Sequence, residues 1–552
     1  MSTESPSEDL APTHGTPGPY LIQVLHTTVS LSDGPSLATA VFRPGGLQNA
    51  PTVLMRTPCG RIQQYPEGTF WASHGYNAVV QDTRSSASYF HEADDGAETV
   101  AWIERQSWFD GRLALTGSSY LGFAALAIAS RRPDIVTALA IRIYSSDRTS
   151  AWYPGGALSL DLTLTWSAQQ EATGQPASWP VAGSLNPEMP AIPDKVFTHL
   201  PLGEADVALT GEPLPFYRER LHHGPDDPHW KPLDFSAVLE TSAIPTLLID
   251  GWFDYHRTYM YQDFERLGRS GPPRRWVIGP WTHSTLDPDV VARETLAWFD
   301  RYVRGTDSTQ HAIDTTPAEA VLLATPGGEL IESKTWPPST ATLVLRPTPD
   351  RSLTIGDDME TTHSRHNQFP RDQTLSFTYD PTDPTPAVGL SAFGDLSAAG
   401  GRDNSDLEAR DDVLVFTTDP VDTDLVCVGQ VNATLAITST NAYSDLFVRI
   451  CDVTPDGKSL NVIHGFVRRV EAAGERQDVH IDLGPIGHRF ARGHRVRLQI
   501  SGGAHPFCDR NLGTGQSWLT GTTVQPCTHH LHLGLVTSTS VTIPVVNPVT
   551  VV

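Results

Sequence analysis

QSWFDGRLALTGSSYLGFAALAIASRR, residues 106–132, reads as an apolar strand, a tight turn at Gly117-Ser118-Ser119 and an apolar helix. A strand that turns sharply into a helix is the setting of a nucleophile elbow. The serine is held on a strained turn, its neighbours must be small, and the helix that follows aims backbone N–H groups at it. Gly117 stands two places before Ser119, whereas Ser118 has its glycine adjacent, where the turn does not need one. Ser119 is therefore the expected nucleophile. The usual second glycine, two places after the serine, is here Leu121, and Gly122 comes one place later.

Strands and helices alternate on both sides of this stretch. Upstream, VSLSDGPSLATAVFRP predicts a hairpin around Asp33-Gly34, PTVLMRTP and NAVVQDTRS predict short strands, and ETVAWIERQSWF has helical spacing with Val100, Ile103 and Trp108 near one face. Downstream, IPTLLIDGWFD and RRWVIGPWTH predict two more apolar strands, and LAWFDRYVRG a helix. Such alternation predicts a mostly parallel sheet covered by helices. Residues 1–20 are acidic and Pro/Ser/Thr-rich and predict a disordered tail rather than a signal peptide. The core is expected over 21–145 and 241–335. Between them, 146–240 is rich in Trp, Pro and Gly without clean strands and predicts an inserted cap. There Gln169–Gln175, Asn186–Pro190 and His222–Pro228 read as connections between short helices. From 336 to 552 the segments ATLVLRP, QVNATLAITS, DLFVRICDV, RVRLQIS and VTIPVV predict an all-β sandwich.

A serine hydroxyl needs a base to take its proton, and the base needs an acid to orient it. In a sheet of this kind both follow the serine in chain order, each just beyond a later strand. Asp254 follows TLLIDGW and His283 follows WVIGPW. Asp250 is the rival acid but falls inside an apolar run. His256 is the rival base but sits two residues from Asp254 and would leave His283 idle.

Composition narrows the alternatives. A net charge of -24 disfavours nucleic acid and anionic membrane surfaces as partners. No apolar run reaches membrane-spanning length, so a cytoplasmic enzyme is the expectation. Five cysteines, at 59, 427, 451, 508 and 527, make neither a disulfide framework nor a zinc site; a Cys508–Cys527 bridge stays open, with reduced thiols preferred. The cluster His529, His530 and His532 raises the question of a metal, but His530 and His532 alone make too few ligands. No metal or cofactor is expected.

The motifs QDTRS (81–85), QSWFDGRLALTGSSYLG (106–122), WYPGGAL (152–158), DGWFD (250–254), GPWTHS (279–284) and HPFCDRNLGTG (505–515) together resemble the cocaine-esterase and X-Pro dipeptidyl-peptidase family, which includes α-amino-acid ester hydrolases and glutaryl acylases. The resemblance runs from about residue 25 to the C-terminus. It implies an α/β-hydrolase core, a helical cap and a C-terminal jelly roll. It implies Ser119, Asp254 and His283 as a catalytic triad, Tyr120 N–H as one oxyanion donor, and Trp152 and Trp166 as pocket walls. It also allows a homodimer. One position departs from the family. A tyrosine that donates the second oxyanion hydrogen bond is replaced by Cys59, a weak donor. Three readings follow. A backbone N–H of Cys59 or Gly60 takes over; Arg61, Gln63 or Tyr65 swings in; or hydrolysis is slow and the acyl group passes to an acceptor other than water.

The expectation is a serine hydrolase acting on a small-molecule carboxylic ester or amide through an acyl-enzyme, with a hydrophobic or aromatic acyl group suggested by the cap. Its rivals are an acyltransferase or cyclase using the same triad, an X-Pro dipeptidyl-peptidase, and a non-catalytic binding module. The peptidase ranks lower because no acidic cluster in the cap offers an anchor for a substrate amine.

Overall fold

The computed structural model describes residues 18–84, 86–172, 192–268, 271–306, 321–324, 330–333, 336–338, 340–356, 373–390, 393, 398–534 and 539–546. Ten strands form the first sheet: β1 (Ile22–Ser30), β2 (Ser36–Pro44), β3 (Ala50–Thr57), β4 (Asn77–Asp82), β5 (Phe109–Ser118), β6 (Val136–Arg142), β7 (Thr246–Gly251), β8 (Arg274–Gly279), β9 (Val321–Ala324) and β10 (Leu330–Ser333). Their order is β1-β2-β4-β3-β5-β6-β7-β8-β9-β10. From β4 to β9 every pairing is parallel, and the outer strands are antiparallel. Every residue of β3, β7 and β8 is buried, as strands covered on both faces require. The covering helices are α1 (Tyr65–Ser73), α2 (Glu92–Glu104), α3 (Tyr120–Arg131), then α9 (Arg257–Arg266) and α10 (Pro288–Phe299). The cap, between β6 and β7, contains α4 (Leu160–Ala172), α5 (Asp194–Phe197), α6 (Ala205–Thr210), α7 (Pro215–His222) and α8 (Ser236–Thr241).

The C-terminal part is antiparallel throughout its strand pairs. One sheet contains β11 (Thr340–Pro347), β12 (Leu353–Gly356), β13 (Gln373–Tyr379), β15 (Leu425–Ser439), β18 (Arg476–Phe490), β20 (Cys527–Leu533) and β21 (Ser540–Val546). The other has β14 (Val413–Thr417), β16 (Tyr443–Val453), β17 (Ser459–Val470) and β19 (Arg495–Ser501). Leu435, Ile437, Leu446, Val448, Ile481 and Leu498 join them in one core. The molecule is an α/β-hydrolase core with a helical cap and an antiparallel jelly roll.

The HPFCDRNLGTG motif fastens the parts together. Asp509 accepts from Leu158 N in the cap (2.8 Å), from Arg468 on β17 (2.8 Å) and from Trp518 Nε1 (2.7 Å). Arg468 also holds Asp445 at 2.8 Å, so one guanidinium serves two buried carboxylates.

The structure bears on several of these expectations, and some of them change. Helix α2 ends at Glu104, so Trp108 lies outside it, although it stays buried. Gln169–Ala172 form the last turn of α4 and not a connection; polar glutamines continue the helix that the apolar run before them begins. The rest of that segment and Asn186–Pro190 fall outside the described residues. Gly18 and Tyr20, expected in a tail, donate to Ser73 Oγ (3.1 Å) and Ser73 O (3.2 Å). All five thiols are free, Cys508 and Cys527 included. His529, His530 and His532 bond to Ser439 (2.9 Å), Ser376 (2.7 Å) and Thr438 (2.8 Å), and the described residues hold no group of three metal-binding side chains.

Candidate active site

Ser119 sits between β5 and α3 with φ 55° and ψ -124°, a conformation costly for a non-glycine residue. The turn is tight enough that a Cβ on Gly117 would come within 2.3 Å of Leu121 Cβ. The shifted Gly122 has its own reason. A Cβ there would meet Tyr144 Cβ at 3.1 Å and Ile141 at 3.2 Å, so it lets α3 lie close on β6. As the first helical residue, Tyr120 has a backbone N–H with no intrahelical acceptor. Its phenol is used elsewhere, donating to Glu92 at 3.0 Å.

The ends of β5, β7 and β8 lie on the same edge of the sheet, and their loops converge. His283 Nδ1 donates to Asp254 Oδ2 at 2.6 Å, and Ser119 Oγ lies 3.0 Å from His283 Nε2. His256 N donates to the other carboxylate oxygen of Asp254 at 2.7 Å, which fixes its rotamer. Ser119 is half-buried, while the side chains of His283 and Asp254 are 8% and 0% exposed.

Both rivals are occupied otherwise. Asp250 is fully buried in β7 and accepts from Gly251 N at 2.8 Å; burial, with Asp254 nearby, pushes its carboxyl well above the usual range. His256 turns to Ser145 Oγ (3.1 Å), and burial lowers its imidazole to about 3, so it stays neutral.

Two cavities flank Ser119. The larger, about 270 Å³, is lined by Cys59, Gln63, Glu67, Tyr120, Trp166 and His283 among others. It adjoins a chamber of about 290 Å³ through Gln63, Gln64, Glu67, Ser118 and Arg142. The smaller, about 30 Å³, lies under the cap between Trp152, Trp166, Tyr144, Arg148, Tyr255 and Phe393. Trp152 and Trp166 thus both face space beside Ser119.

At Cys59 most of the substitutes for the missing phenol are engaged. Cys59 N donates to Thr57 Oγ1 at 3.2 Å. Arg61 pairs with Asp82 at 2.7 Å through its guanidinium and donates its backbone N–H to the same carboxylate. Tyr65 OH is 3.4 Å from His26. The backbone N–H of Gly60 and the side chain of Gln63 remain, and Gln63 lines the larger cavity. Burial pushes the Cys59 thiol up to about 11.

The sequence reading missed Tyr255, Phe393, Tyr144 and Arg148. Tyr255 stacks on the His283 ring (4.5 Å, 25°), and its hydroxyl is 3.0 Å from Nε2, sharing that acceptor with Ser119. Its place directly after Asp254 was the available signal. Phe393 comes from the C-terminal part, with its ring 6.0 Å from His283; no motif marks it.

Comparisons with known proteins agree with this architecture. The model of the X-Pro dipeptidyl-peptidase (S15 family) matches residues 33–285, and that of the X-Pro dipeptidyl-peptidase C-terminal non-catalytic domain matches 311–542. The chain is 28% identical to cocaine esterase from Rhodococcus sp. (strain MB1 Bresler), covering 88% of this chain and 92% of that protein. In fold it is similar to an aminopeptidase from a marine sediment archaeon, Thaumarchaeota archaeon (TM-score 0.78, 19% identity, 99% of this chain and 98% of that one). It is similar likewise to an α-amino acid ester hydrolase (TM-score 0.77, 20% identity, 99% and 100%). Matched by the family's catalytic and C-terminal models in succession, the chain belongs to the cocaine-esterase and X-Pro dipeptidyl-peptidase family of serine-hydrolase-type esterases and peptidases.

Proposed function

We propose that the chain is a carboxylic ester hydrolase that works through an acyl-enzyme on Ser119. The observation that carries this reading is the hydrogen-bonded chain Ser119–His283–Asp254, with contacts of 3.0 and 2.6 Å. His283 takes the Ser119 proton as Oγ attacks the carbonyl, then returns it to the leaving oxygen. Asp254 keeps Nδ1 protonated, so that Nε2 is the base, and stabilises the imidazolium that forms. Tyr120 N–H, without an intrahelical acceptor at the α3 N-terminus, is the donor this reading assigns to the developing oxyanion. Water then attacks the acyl-enzyme with the same proton traffic, releasing the acid and restoring Ser119.

The test is labelling of the purified protein with a fluorophosphonate, followed by intact and peptide mass spectrometry. One adduct at Ser119, abolished in Ser119→Ala together with ester turnover, is expected. Turnover surviving intact in Ser119→Ala refutes the reading.

A second reading is favoured by the chamber of about 290 Å³ that opens beside Ser118. It gives an acceptor larger than water a place to wait, which suits acyl transfer. Hydrolysis in the presence of alcohols or amines separates the two, because transfer diverts product to the new ester or amide at millimolar acceptor.

A further inference from the structure

Two hydroxyls meet one lone pair in the active site. His283 Nδ1 donates to Asp254 at 2.6 Å, so the neutral imidazole accepts only at Nε2. Ser119 Oγ lies 3.0 Å from that nitrogen, and Tyr255 OH lies 3.0 Å from it as well. Tyr255 stands between β7 and α9, directly after Asp254. Its ring is held against His283 (4.5 Å, 25°), His256 (4.7 Å) and Phe393 (6.3 Å). Among the described residues, Nε2 is the one hydrogen-bond partner of its hydroxyl. Burial, with the Asp254 carboxylate nearby, pushes the phenol well above its usual range, so it keeps its proton and acts as a donor.

The competition is unequal in the two halves of the reaction. Ser119 is fixed by the chain at hydrogen-bond distance from Nε2, so in acylation it meets the base without having to be placed there. Once Oγ carries the acyl group it has no proton to offer, and the phenol is the sole protein donor left at Nε2. Water must then enter, take the phenol's place at the lone pair and line up with the acyl carbon. Its immobilisation costs entropy, whereas the packed ring keeps the phenol in position already.

We infer that the Tyr255 hydroxyl restrains deacylation, so that the acyl-enzyme and not the free enzyme accumulates during turnover. The inference rests on Ser119 forming an acyl-enzyme. In the restrained step the phenol O–H turns away from Nε2, the water oxygen bonds to the acyl carbon, and one water proton passes to Nε2. The bond between the acyl carbon and Oγ then breaks, Nε2 returns that proton to Oγ, and the acid leaves with the oxygen and the other proton of the water. An acyl-enzyme that waits gives an acceptor time to occupy the chamber of about 290 Å³ beside Ser118, walled by Phe70, Leu286 and Val291 among others.

Stopped-flow release of p-nitrophenol from p-nitrophenyl butyrate tests it, with the acyl-enzyme counted by intact mass spectrometry during turnover. The native protein is expected to give a burst near one equivalent per chain and then a slow steady rate. A neutral hydrogen bond is worth a net factor of about two to ten. Tyr255→Phe keeps the stacked ring and loses only the hydroxyl, so it should raise the deacylation constant by about that factor, change acylation less, and lower the share of acyl-enzyme. A merely structural role would change both constants together and leave the burst unmoved. No burst in the native protein overturns the inference. So does a deacylation constant that is unchanged or lower in Tyr255→Phe, or one that rises no more than acylation does. Should Tyr255→Phe fail to fold, Tyr255→Met, which also lacks the hydroxyl, takes its place in the same measurement. Fluorophosphonate labelling of Ser119 without a burst sinks only the role of Tyr255. Absence of both labelling and p-nitrophenol release sinks the hydrolase reading with it.

Discussion

Replacing Cys59 with tyrosine is expected to make this enzyme faster. Cys59 faces the cavity of about 270 Å³ that also contains Ser119, His283 and the start of α3. Its thiol, held up at about 11 by burial, is neutral and a weak donor. Its backbone N–H is committed to Thr57 and the Arg61 side chain to Asp82. One designed oxyanion donor is worth about 2.7–4 kcal/mol, or about 10²–10³ in kcat. The phenol would extend into existing space and disturb no buried pair, but its aim depends on a turn not shaped for it, so the low end of the range is discounted to about tenfold. The assay is steady-state hydrolysis of one activated ester by native protein, Cys59→Tyr and Cys59→Phe. Phenylalanine fills the same space without the hydroxyl and should give no gain. Equal rates for tyrosine and phenylalanine variants would refute the reasoning and show that the oxyanion is already fully served, with Gln63 the next residue to replace.

Asp254→Asn should lower kcat by about 10⁴, because the amide keeps the contact but favours the wrong imidazole tautomer; a loss under tenfold would point to another orienting group. Alkylation of Cys59, followed by peptide mass spectrometry, should be slow at pH 7, where a thiol at about 11 is ionised to about one part in 10⁴. The raised value means that the rate climbs about tenfold per pH unit and levels only near 11; a plateau near 8.5 would contradict it. Arg468→Met leaves Asp445 and Asp509 buried without their shared cation and should cost about 3–5 kcal/mol in denaturant unfolding. A change below about 1 kcal/mol would mean that these carboxylates are compensated elsewhere.

Much of the architecture could be read from residue order, since its signals are local. Periodicity near two and near 3.6 separates strand from helix within a dozen residues. An elbow needs only Gly117 and Ser119 at the junction, and Asp254 and His283 stand at strand ends where loops begin. The choice between Asp250 and Asp254, or between His256 and His283, was argued from chain position. In three dimensions it turns on side-chain direction: Asp250 points into the sheet, and His256 points to Ser145. The end of α4 was misread because Gln169 and Gln170 are polar where the helix still has a buried face to complete.

What sequence alone determined was the alternation of elements and the residues at the open edge of the sheet. Backbone propensity and hydrophobic period act over a few residues and leave their mark there. What only tertiary structure decided was the company these residues keep. Phe393 reaches His283 from 110 positions along the chain, and Arg148 meets Tyr89, Phe123 and Tyr144 beside Ser119. Such contacts follow from sheet order and from how the cap docks, and no local pattern encodes them. The surroundings of Ser119 are therefore a property of the folded chain.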